Sequence, residues 1–120
     1  MSTNDMDQKE LILESIKEFI ESAEQDEKNQ RLRSAVTMYF KAITEICDFI
    51  IFNKILKTSK NHTERYELLE RFFPEIYNIT SPLFKIYRKT YSQKVSKEDL
   101  IEMKNATKQI LNKAEINKYL

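Results

Sequence analysis

In the segment LFKIYRKTY, residues 83–91, Phe84, Arg88 and Tyr91 recur at i, i+4 and i+7. On a helix that spacing sets an arginine between two aromatic rings on one face. The rings offer stacking area, and the guanidinium offers a planar fork that is always charged. That combination suits either the hot spot of a protein partner or the base and phosphate of a nucleotide. Lys85 and Lys89, with Lys94 and Lys97 just beyond, make the local field positive. The alternative for the same residues is that both rings belong to the core and that Arg88 pairs with an acid of the first helix.

Other chemistries lack their residues. With one histidine and one cysteine, and with neither HExxH nor CxxC, the chain has no set of side chains at metal-ligand spacing. No metal or other cofactor is expected. Cys47 falls on an apolar helical stripe, where burial suppresses a thiol's reactivity, so it reads as core filler. His62 opens a helix on the stripe of Tyr66, Leu69 and Phe73. It serves there either as a locally bonded helix-entry residue or as part of a ligand site. Carboxylate pairs such as Glu14 with Glu18 and Glu98 with Glu102 look like solvated helix faces and do not indicate acid–base catalysis.

The elements that position these residues follow from composition and period. The 120 residues include no glycine and only two prolines, Pro74 and Pro82. Hairpin turns and phosphate-cradling glycine loops therefore have no raw material, and an all-α single domain follows. A net charge of +1 excludes a globally basic nucleic-acid binder. Charge is nonetheless asymmetric, with nine acidic and three basic residues in 1–30 against four acidic and nine basic in 81–120. No run of residues is long and apolar enough for a membrane span, and the start MSTNDMDQKE lacks the features of a signal peptide. A soluble, cytoplasmic protein is expected, the unpaired cysteine suiting a reducing compartment.

The 3.6-residue period predicts an up-and-down bundle of four or five helices with a long central second helix. The first covers about 5–25, with Ile12, Ile16, Phe19, Ile20 and Ala23 inward, and the second about 30–57. The third starts near His62 behind a capping box of Asn61 and Glu64 and ends at Pro74, where the chain stops or bends. The fourth covers about 82–92 behind Ser81 and Pro82. The fifth follows a capping box of Ser96 and Asp99, with Leu100, Met103, Thr107, Ile110, Leu111 and Ala114 inward.

On the second helix the principal apolar stripe has Met38, Ala42 and Phe49 on one shoulder and Phe40 and Ile51 on the other. The arc spans about 220°, roughly twice the width of an ordinary surface stripe. Either the remaining helices surround it, or a second copy of the chain covers one flank. The short, narrow-faced neighbours favour a homodimer with those five shoulder residues at its interface.

Together SAVTMYFKAITEICDFI, the loop KNH and the segment LFKIYRKTY resemble the HEPN domain over residues 30–112. This small helical bundle also occurs as the substrate-binding subunit or domain that accompanies minimal nucleotidyltransferases in prokaryotes. The resemblance implies dimerisation through central helices and work on nucleotides or RNA. Many HEPN members are ribonucleases with an arginine followed four to six residues later by a histidine. Here Arg88 is followed by no histidine, and no arginine stands at that distance before His62. The resemblance thus implies a non-catalytic binding module with Arg88 and Tyr91 as binding residues. Its partner would be a nucleotide, RNA or a protein such as a small nucleotidyltransferase. A structural adaptor without a nucleic-acid role, and less directly a ribonuclease of different motif, are the alternatives.

Overall fold

A computed structural model describes residues 3–120. Among them are six α-helices and a closing 3₁₀ turn: α1 Thr3–Lys28, α2 Leu32–Ile55, α3 His62–Phe72, α4 Pro74–Thr80, α5 Leu83–Ser92, α6 Lys97–Lys113 and the turn Asn117–Tyr119. The all-α bundle expected from the glycine-free composition is what forms. Where helices end without glycine, Gln30, Leu56 and Glu115 take the left-handed conformation instead, at φ of 60°, 56° and 56°. Leu56 lets α2 close by donating its N–H to the carbonyl of Phe52.

The short link after α1 folds it back along α2 as a helical hairpin. Two polar contacts pin the pair near this link: the Tyr39 hydroxyl donates to Glu27, and the Ser34 hydroxyl donates to Asp26. Ile12, Ile16 and Ala23 of α1 are buried as the stripe predicts. The inward face of α6 likewise buries Leu100, Met103, Thr107, Ile110 and Leu111. Each large apolar side chain removed from water in this way contributes about 1.5–3 kcal/mol.

Two boundaries differ from expectation. Pro74 ends α3 and also begins α4, an additional short helix that buries Ile76 and Thr80. A proline at the first helical position loses no bond there and has its φ already set, so the same residue can both break and start a helix. Ser81 consequently closes α4 in helical conformation and makes no cap for α5. Of the two predicted capping boxes, one forms in half and one in full. Asn61 Oδ1 accepts from the Glu64 N–H, although the Glu64 carboxylate returns to the Lys60 N–H rather than to Asn61. Ser96 and Asp99 form the full reciprocal box. Ser96→Ala should cost about 1 kcal/mol in a urea titration; a change below a few tenths would mean that α6 does not depend on this cap.

The largest correction concerns α2. Phe40, Ala42, Phe49 and Ile51 are buried within their own chain, at no more than 2% exposure, and Met38 is half-buried against the same core. The arc of α2 is covered by α1 on one side and by α6, α5 and α3 on the others. Short helices suffice because α3, α5 and α6 share the circumference with α1, which is 26 residues long and runs beside α2. Phe40, Ala42, Phe49 and Ile51 therefore belong to the monomer's core and do not face outward, and Met38 packs at its edge.

Candidate functional site

Lys41, Thr44 and Glu45 of α2 line a cleft closed by α1, α3 and α5. Phe19 comes from α1, Phe40, Lys41, Thr44 and Glu45 from α2, Asn61, His62 and Arg65 from the start of α3, and Tyr87 from α5, around about 290 Å³. That is near the low end of the roughly 300–1,000 Å³ typical of small-ligand sites.

Behind the cleft lies a buried ionic cluster. Asp48 is 9% and Arg65 8% exposed. Arg65 Nε donates to Asp48 Oδ1 at 2.8 Å and Nη2 to Oδ2 at 3.1 Å, a two-pronged pairing that the Ser59 hydroxyl completes at 2.6 Å. The third prong, Nη1, lies 2.7 Å from His62 Nδ1. A guanidinium can only donate, so Nδ1 accepts and the ring's own proton resides on Nε2. Partial burial, and next the adjacent Arg65 charge, hold the His62 pKa below its ordinary value. As held, the imidazole is a neutral donor with no lone pair free for general base work.

Glu45 presents the opposite function. Burial, and secondarily the Asp48 charge, raise its pKa above the usual carboxylate range, while Arg65 opposes them. No side chain or backbone group hydrogen-bonds its oxygens among the described residues. No buried side-chain nitrogen or oxygen in those residues lacks a partner, so the Glu45 oxygens are reachable from solvent.

Aromatic rings connect this cleft to the LFKIYRKTY face. Phe40 and Tyr87 stack at 4.2 Å and 11°; the His62 ring meets Phe84 edge-on at 5.4 Å. Tyr87 meets Tyr91 edge-on at 5.5 Å, their hydroxyls 2.9 Å apart. Arg88 sits with its guanidinium carbon 5.5 Å from the Phe84 ring centre. Of the three residues singled out by spacing, Phe84 is half-buried in the ring cluster, Arg88 is exposed, and Tyr91 is 72% exposed. The alternative with both rings in the core and Arg88 paired to α1 therefore does not describe this face.

Lys85, Arg88 and Lys89 share a second hollow with Ser92 and Gln93, about 390 Å³. Lys89 is tied to Asp99 at 3.1 Å, whereas Lys85 and Arg88 have no acid within ion-pair distance among the described residues. Arg33 donates to the carbonyls of Lys89, Thr90 and Gln93, offsetting the negative end of α5 that would otherwise oppose an anion there.

Sequence reasoning named His62, Phe84, Lys85, Arg88, Lys89 and Tyr91 as candidate ligand-binding residues but missed Arg65, Asp48 and Glu45. A charge between Cys47 and Phe49, within an otherwise apolar run, was the available signal for Asp48, since a buried carboxylate needs a cation. Cys47 itself is fully enclosed, and burial pushes its thiol up to about 12. Among the described residues no group of three or more His, Cys, Asp or Glu is arranged to hold a metal ion. No helix there is long and apolar enough to cross a membrane. Set against protein-family models, curated proteins and solved structures, the chain matches none of them.

Proposed function

We propose that this protein is a non-catalytic helical module that binds a nucleotide or single-stranded RNA across the α2–α3 cleft and the adjoining face of α5. The observation that carries this reading is the unbroken path of rings from Phe40 through His62, Phe84 and Tyr87 to Tyr91, bordered by Lys41, Lys85 and Arg88 without acidic partners. Phe40 backs this path from the core, whereas His62 and Tyr91 are exposed and Phe84 and Tyr87 half-buried; accessible rings flanked by free cations match bases joined by phosphates. The donor state of His62 favours recognition over proton transfer.

The enclosed α2 makes one chain sufficient as the binding unit, so the shoulder residues are given no role between copies. The reducing cytoplasm is the compartment we assign, where the unpaired Cys47 has no oxidising chemistry to meet. A protein such as a small nucleotidyltransferase is the partner to which such a module would present its ligand.

The test is a salt titration of binding to a fluorescent oligoribonucleotide. Affinity should fall steeply with added salt, and Arg88→Ala should weaken binding and lower the salt slope by about 1. Salt-insensitive binding, or an Arg88→Ala protein with wild-type affinity and slope, would overturn the assignment of phosphate contacts to this face.

A further inference from the structure

The binding reading leaves the cleft's own selectivity open, and the inference drawn here rests on that reading and sharpens it. Glu45 and Lys41 stand one turn apart on α2, and His62 and Asn61 face them from the start of α3. Asn61 Oδ1 is already engaged by the Glu64 N–H, so the amide nitrogen is what Asn61 has left to offer. His62 Nδ1 is engaged by Arg65, which leaves its Nε2–H. The cleft therefore offers two donors from the start of α3 and, facing them from α2, the Lys41 ammonium beside a carboxylate with both oxygens free.

We infer that this cleft binds a guanine base, with Glu45 accepting from N1–H and the N2 amino group while His62 Nε2–H and Lys41 donate to O6 and N7. Guanine is the common nucleobase with two adjacent donors able to satisfy both oxygens of one carboxylate. Adenine and cytosine offer a single amino group, and uracil a single ring N–H. Guanine also carries O6 and N7 as acceptors on its remaining edges. The half-buried rings of Phe19 and Tyr87 wall the cleft and provide stacking surface. Arg65 does not compete for Glu45, because its prongs are used by Asp48 and His62. The cleft's volume admits a base, and Tyr87, which lines it, belongs to the same helix as Lys85 and Arg88.

The experiment compares GMP, IMP, AMP, CMP and UMP by calorimetry above the raised Glu45 range, where the carboxyl is ionised. It adds short oligoribonucleotides with and without guanine. GMP should bind at least tenfold more tightly than AMP, CMP and UMP, with IMP between because it lacks the N2 amino group. Glu45→Gln should reduce the GMP preference at least tenfold while leaving the melting temperature within a few degrees, since Glu45 has no protein partner to lose. Guanine-dependent binding of oligonucleotides without GMP binding would support the base assignment and make RNA its source.

Equal affinity for GMP and IMP would overturn the two-donor contact. RNA binding with no guanine preference would overturn the inference and leave the binding module standing. No binding of any mononucleotide or oligonucleotide would overturn both.

Discussion

Arg65→Ala is expected to destabilise the fold by about 3–5 kcal/mol, read as a lowered urea midpoint at unchanged slope. The reason lies in what remains behind. Asp48 is 9% exposed, and the side-chain partners of its carboxylate are Arg65 and Ser59. Without the guanidinium only the Ser59 hydroxyl is left to its carboxylate. A buried charge without its counter-charge costs more than the pair is worth as a contact. Arg65→Lys should rescue little, because a point charge cannot make two bonds to Asp48 and a third to His62. The double change Asp48→Leu with Arg65→Met should recover most of the loss, since no orphaned charge is created.

A second readout separates the cluster's role in the cleft from its role in stability. Removing the Arg65 charge should let the His62 pKa rise toward its ordinary value, measurable from the ring proton shifts of protein that remains folded. A loss below about 1 kcal/mol for Arg65→Ala would mean that water reaches the pair and that it is an ordinary surface ion pair.

How much of this was legible beforehand follows from which physical effects are local. Helix periods, the Ser96 box and the Asn61 cap are set by residues three or four apart, and they read correctly from the sequence. Phe84, Arg88 and Tyr91 share a helical face for the same reason. Pro74 was ambiguous because breaking one helix and starting the next require the same fixed φ, and only the packing of Ile76 decides that α4 forms. The Asp48–Arg65 pair was not legible because its partners stand 17 residues apart on different helices. The width of the α2 arc correctly indicated neighbours on both sides, but it carried no information on whether those neighbours belong to the same chain.

Phe40→Ala answers that last question with an expected loss of about 3–5 kcal/mol. Phe40 is 2% exposed; its ring stacks on Tyr87 at 4.2 Å and lies 6.0 Å from both Phe84 and His62. Truncation removes the stacking partner of Tyr87 and leaves a void beneath the cleft that rigid helices can only partly fill. Phe40→Leu should cost much less because it keeps most of the volume. It should still weaken ligand binding several-fold, since Tyr87 then loses the ring that holds it flat. Because Phe40 is enclosed by its own chain, the melting temperature of wild type and both variants should be independent of protein concentration. A residue buried only by a second copy would make melting concentration-dependent, and its truncation would shift the solution mass toward a single chain. A melting point that climbs with concentration in wild type and loses that dependence in Phe40→Ala would place this ring between copies and undo the single-chain cleft.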